Sequence, residues 1–232
     1  MSRPLDRVAV ALDTPDAARL EAWSATFGPH VGALKVGLTA FTSLGPAAVE
    51  IARAHSDRVF LDLKLHDIPN TVAGAVRAAR ELGVRYLTVH TAGGRAVLEA
   101  ARREAGDALR LLGVTLLTHL DAGDLSELDL GDGRRRVARW AELARDCGFA
   151  GVVCSPREVA ELRARFPPPF ELVTPGIRWR DGTDDQRRVA APEAALAAGA
   201  DLLVIGRPLT AAPDSEAALA ALADRLSPVP VP

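Results

Sequence analysis

Short apolar runs recur along the chain at 8–12, 33–36, 59–63, 86–89, 112–117, 151–154, 171–173 and 202–205. They are continuous rather than alternating, the pattern of parallel strands covered on both faces. Between them lie alanine-rich stretches with helical spacing, such as 17–27, 72–82, 95–104 and 135–147. Most of these end near a glycine (Gly28, Gly83, Gly106, Gly148), as expected for C-terminal caps. Eight strand–helix units in 232 residues suit a closed barrel better than an open doubly wound sheet. No GxGxxG or Walker-type loop follows the first strand, which disfavours a nucleotide-cofactor fold further. The expected fold is α/β, a single (β/α)₈ TIM barrel over residues 1–226, with a flexible proline-rich tail at 227–232. Pro167, Pro168 and Pro169 read as a stiff connector into the seventh strand.

In such barrels the reacting groups gather where the C-terminal ends of the strands meet the following loops. That rule collects Asp13, Lys35, Asp62, Lys64, His90, Thr118, Ser155, Pro175, Gly176, Gly206 and Arg207. Strand side chains alternate, so Asp62 and Lys64 should share one face while Leu61, Leu63 and Leu65 take the other. Asp67 follows on the loop. The expected product is a cation flanked by carboxylates in a water-poor pocket, extended by Asp13 and Lys35. These charges could instead merely stiffen the barrel, but desolvation makes buried ion pairs a poor source of stability. Coupled titrating groups collect at functional sites, and barrel stability is expected at the opposite face.

Composition sharpens this. Of the 28 basic residues 26 are arginine, and only Lys35 and Lys64 are lysine; Asn70 and Gln186 are the sole asparagine and glutamine. A lysine ammonium is compact and can release a proton, which a guanidinium effectively cannot. The net charge of −2 gives no general attraction to nucleic acid or membrane. Arg134, Arg135 and Arg136 read as a solvated loop or helix start. Cys147 and Cys154 lack metal-site spacing and read as small buried hydrophobes. His30 and His55 should be exposed, and no histidine–carboxylate spacing suggests a transition metal. The first apolar run is too short and too charged for a signal peptide, and no 18-residue apolar segment exists, so a cytoplasmic protein is expected.

The run Asp62-Leu63-Lys64-Leu65-His66-Asp67-Ile68-Pro69-Asn70-Thr71 resembles the signature of orotidine 5′-monophosphate decarboxylases. Asp13, Lys35–Gly37, Thr118, Thr174–Arg178, Asp185-Gln186 and Ile205–Pro208 match that family in order and approximate spacing, from Val8 to about Leu226. The resemblance implies removal of CO₂ from C6 of a pyrimidine nucleotide without metal or organic cofactor. It assigns Lys64 to C6, as charge and proton donor, and Asp62 to the neighbourhood of the departing carboxylate. Asp67 would steady Lys64 from the opposite subunit of a homodimer. Lys35 and Asp13 would order the network and hold ribose hydroxyls, and Thr71 and Thr118 would contact substrate. Gly206 and Arg207 would bind phosphate, with Arg178 and Gln186 on a closing loop. His119 stands where relatives often carry serine, and the loop stretch 179–185 is short. A magnesium-dependent sugar-phosphate decarboxylase or hexulose-phosphate synthase shares the Asp-x-Lys-x-x-Asp core, and a non-catalytic phosphate-binding barrel is the remaining alternative. His66–Thr71 and Gln186 favour the pyrimidine enzyme.

Overall fold

The computed structural model describes residues 3–178 and 190–227. Eight parallel strands close into a barrel in sequence order, with β1 pairing β8. They are β1 (Val8–Ala11), β2 (Ala33–Gly37), β3 (Val59–Leu65), β4 (Tyr86–His90), β5 (Arg110–Val114), β6 (Gly151–Val153), β7 (Glu171–Thr174) and β8 (Leu202–Ile205). The main connecting helices are α1 (Ala17–Phe27), α2 (Leu38–Leu44), α3 (Ala47–Arg53), α4 (Pro69–Glu81), α5 (Gly94–Ala105), α6 (Ala122–Glu127) and α7 (Gly133–Asp146). They continue with α8 (Val159–Arg165), α9 (Pro192–Ala197), α10 (Arg207–Thr210) and α11 (Ser215–Leu226). Apart from Ser227, the expected tail lies outside the described residues.

Local chemistry explains the boundaries. The Asp16 carboxylate accepts from the N–H groups of Ala18 and Arg19 and starts α1; Asp132 and Asp214 do the same for α7 and α11. Pro69 and Pro192 open α4 and α9, where no intrahelical N–H is needed. Gly83, Gly106 and Gly148 take φ of +70°, +57° and +76°, as caps should. Gly28 does not: its φ is −52°. Its reason is space, since a Cβ there would lie 2.5 Å from the His55 carbonyl oxygen.

The strands sort their side chains into two cores. Val8, Val10, Leu34, Leu61, Leu87 and Leu172 face outward and pack with helix residues such as Leu20, Val76, Leu98 and Leu162. Ala9, Ala33, Phe60, Leu112, Val173 and Leu202 fill the interior. Each fully buried leucine or phenylalanine contributes about 1.5–3 kcal/mol. Toward the N-terminal end of the barrel, Arg110 pairs with Glu171 at 2.8 Å, and the Tyr86 hydroxyl lies 3.5 Å from the same carboxylate. The interior is therefore plugged below, and its small residues on β1 and β2 leave room above.

The fifth strand is a correction. Expected at 112–117, it runs Arg110–Val114, and Thr115–Leu120 belong to the following loop. Leu116 is buried there, which is why it reads as strand in the apolar pattern.

Candidate active site

At the C-terminal ends of the strands lies a cavity of about 440 Å³. Asp13, Lys35, Asp62 and Lys64 line one side of it. Pro175, Gly176, Arg178, Gly206 and Arg207 line it too, with Thr118 and Thr210. Ala11, Phe60, Val153 and Val204 supply its apolar surface. The volume suits a small, compact ligand.

The four charged groups alternate in sign. Lys35, on the inner face of β2 with its side chain 8% exposed, places Nζ 3.3 Å from Asp13 Oδ1 and 3.4 Å from Asp62 Oδ2. Lys64 Nζ donates to Asp62 Oδ1 at 2.9 Å. Asp62 thus has an ammonium against each oxygen. Burial alone would raise the Asp62 carboxyl, but Lys35 and Lys64, with hydrogen bonds from Lys64 and Thr88, hold it below the usual carboxylate range. Burial likewise works against the Lys35 cation, and the charges of Asp62 and Asp13 overcome it, so its pKa is raised. Gly37 leaves the space this needs: a Cβ would stand 2.5 Å from Asp13 Oδ1 and 2.9 Å from Lys35 Nζ.

Asp62 and Lys64 do meet, by a route that simple alternation does not contain. Leu61 pairs with Leu87 and Leu65 with Val89, so three residues of β3 face Thr88 alone. Within this bulge Lys64 adopts φ +51°, the left-handed region that a residue with a side chain rarely visits. The Lys64 N–H donates to Thr88 Oγ1 at 2.8 Å, and the Thr88 hydroxyl donates to Asp62 Oδ1 at 3.0 Å. Thr88 is wholly buried. It escaped the sequence reading, although a polar residue between Leu87 and Val89 of a buried strand was a signal.

Other expected residues fall outside the cavity. Asp67 and Thr71 are exposed, and Asp67 Oδ1 accepts from the Ile68 N–H at 2.6 Å. Ile68 is itself 66% exposed. Gln186 and the stretch 179–185 lie outside the described residues; Ile177 forms a bridge with Ala190, and the Arg178 N–H donates to the Ala190 carbonyl at 2.9 Å. Ser155 is buried and does not line the cavity; its N–H donates to Glu158 Oε2 at 2.7 Å.

His90 does not line the cavity. Its ring stacks on His66 at 5.1 Å and meets Trp140 edge-on, while Nδ1 accepts from the Ala92 N–H. Burial, then the nearby His66 and Lys64, push its pKa down to about 4. His55, expected to be exposed, is half-buried and lies 2.6 Å from Glu21. Both cysteines are buried and free. Among the described residues, no group of three or more His, Cys, Asp or Glu side chains is placed to hold a metal ion, and no helix is long and apolar enough to cross a membrane.

Comparison with known proteins covers nearly the whole chain. The family model described as orotidine 5′-phosphate decarboxylase / HUMPS family matches residues 6–222. The orotidine 5′-phosphate decarboxylase of Thermobifida fusca (strain YX) is 52% identical over 222 residues, 94% of this chain and 95% of the relative. That of Moorella thermoacetica (strain ATCC 39073 / JCM 9320) is 50% identical, over 97% of this chain and 93% of the relative. Among solved structures, the orotidine 5′-phosphate decarboxylase from Lactobacillus acidophilus superimposes with a TM-score of 0.81. It is 32% identical, and the match covers 97% of this chain and all of that one.

Proposed function

Since the chain belongs to the orotidine 5′-phosphate decarboxylase / HUMPS family, we propose the following account of how its residues work. The protein converts orotidine 5′-monophosphate to uridine 5′-monophosphate and CO₂, a step of pyrimidine nucleotide synthesis. The observation that carries the mechanism is the Asp13–Lys35–Asp62–Lys64 alternation at the cavity wall, with Asp62 bonded by ammonium groups on both sides.

The bond from C6 to the carboxylate breaks and leaves its electron pair on C6. That vinylic carbanion has no ring position onto which to delocalise, so fixed charge must stabilise it. The Lys64 ammonium is already oriented by Asp62 before substrate arrives, and little reorganisation accompanies the reaction. Lys64 then gives C6 a proton, completing uridine 5′-monophosphate, and regains one from solvent. An arginine could supply the charge but not readily the proton. Asp62 sits by the departing carboxylate, and its main effect is to hold Lys35 and Lys64 in place.

Arg207 and the Gly206 backbone hold the phosphate, with Gln186 and Arg178 closing over it. Thr118 meets the pyrimidine edge. Binding energy at the phosphate, remote from C6, can then organise the charged site. No metal or organic cofactor takes part. Both oxygens of Asp62 already face ammonium groups, which leaves that carboxylate poorly placed to ligate a magnesium ion.

The active form is a homodimer in which Asp67 and Thr71 serve the partner's cavity. Their exposure in one chain, with the exposed apolar side chain of Ile68 next to Asp67, supports this. A cytoplasmic location belongs to the same reading, supported by two cysteines that remain thiols.

One experiment tests both parts. The fall in orotidine 5′-monophosphate absorbance is followed in chelator-treated protein. Lys64→Ala and Asp67→Ala are each expected to be nearly inactive. Random exchange of their subunits should restore about a quarter of the sites, because half the dimers then carry one intact site. Dependence on added magnesium would overturn the metal-free mechanism, and no recovery despite verified exchange would place Asp67 in its own subunit's site.

A further inference from the structure

Something must hold Lys64 in its left-handed backbone conformation with its side chain at the cavity. Asp62 accounts for the far end of the side chain. The near end is set by the bulge, where three residues of β3 face a single residue of β4 and the regular ladder is interrupted.

Thr88 is that single residue, and its hydroxyl both accepts and donates within the bulge. It accepts from the Lys64 N–H at 2.8 Å and donates to Asp62 Oδ1 at 3.0 Å. One oxygen therefore ties the backbone of the proposed proton donor to the carboxylate that orients its ammonium. The ring is closed by the 2.9 Å contact from Lys64 Nζ to the same Oδ1. Thr88 has no solvent exposure, so water cannot easily replace the hydroxyl. Its neighbours Leu87 and Val89 face the outer core. Valine has nearly the same shape but lacks the hydroxyl, so Thr88→Val removes these two hydrogen bonds with little change of volume.

Resting on the reading of Lys64 as proton donor, we propose that Thr88 is a positioning residue of the decarboxylation, its hydroxyl fixing both the Lys64 backbone and the Asp62 carboxylate. A displaced donor is costly to chemistry and much less so to a substrate anchored elsewhere. Removing the hydroxyl should therefore lower kcat and leave KM nearly alone.

The test compares Thr88→Val, Thr88→Ser and Lys64→Ala, with circular dichroism confirming the fold. The valine variant should lose kcat on the order of a hundredfold while KM moves by less than about threefold. The serine variant, which keeps the hydroxyl, should recover most of that loss. The acid limb of kcat/KM should also move to higher pH in the valine variant, because the Asp62 carboxylate loses a donor while Lys35 and Lys64 remain. Serine should move it back. If the valine variant fails to fold, Thr88→Ala gives the same comparison without a branched side chain in the bulge.

Near-normal kcat in the valine variant, or equal loss in valine and serine variants, would overturn the inference. If Lys64→Ala is inactive in that event, the reading of Lys64 stands and only the role of Thr88 falls. Retained turnover in Lys64→Ala would remove the premise, whatever Thr88 does.

Discussion

Replacing Asp62 by asparagine preserves the shape of the side chain and removes the one charge that two ammonium groups share. In the native protein Asp62 lies 3.4 Å from Lys35 Nζ and 2.9 Å from Lys64 Nζ. At an effective dielectric constant of about 20, each contact is worth about 5 kcal/mol of Coulomb energy. Asparagine also avoids the desolvation of a carboxylate, which returns several kcal/mol. What remains is the cost of leaving Lys35 nearly buried with only the half-exposed Asp13 beside it, about 3–5 kcal/mol of stability. Against a total of about 5–15 kcal/mol for an ordinary domain, that loss is large.

The pH dependence identifies the cause. In the native protein Lys35 is raised above its unfolded value, so its contribution is complete below about pH 10.4 and is lost only as pH rises beyond it. In Asp62→Asn the largest surviving influence on Lys35 is burial, which lowers it. The unfolded chain then binds more protons than the folded one below pH 10.4, and stability rises with pH. The deficit of the variant should accordingly be greatest near pH 7 and shrink toward pH 9.5. Urea unfolding of both proteins at fixed concentration measures it. A deficit under about 1 kcal/mol near pH 7, or one unchanged at pH 9.5, would refute the view that Asp62 neutralises a buried Lys35.

Three further outcomes follow from the site. Gly37→Ala should fold, because the atoms it displaces are ends of side chains. It should still cost about 10–100-fold in kcat/KM by separating Asp13 from Lys35. Arg207→Ala should lower kcat/KM for the nucleotide by about 10–100-fold, with no comparable loss on the unphosphorylated nucleoside, checked by parallel kinetics on the two substrates. Lys64→Arg should keep the cation yet lose about 10²–10⁴-fold in kcat, which single-turnover measurements can assign to the chemical step.

How much of this was legible in the chain differs from element to element. The eighth strand was readable to its ends, because Leu202–Ile205 is an isolated apolar run. The fifth was displaced, since its ladder opens on the polar Arg110 while apolar Leu116 lies in the loop beyond. Lys35, Asp62 and Lys64 were legible because lysine is rare here and the strand ends are where barrels do chemistry. The bulge that joins Asp62 to Lys64 was not. It depends on how β3 and β4 register, and that information is not local to either strand. Thr88 was missed for the same reason, its significance lying wholly in what stands opposite it.

The scarcity of lysine has a practical side as well. The protein carries only two side-chain amines, Lys35 with 8% and Lys64 with 32% of its side chain exposed. An amine-directed reagent thus meets a surface of arginines it does not modify, and the most accessible side-chain amine it can find is in the cavity. Mass added at Lys64, measured with and without a bound nucleotide, becomes a direct count of empty sites, with no need for an engineered label.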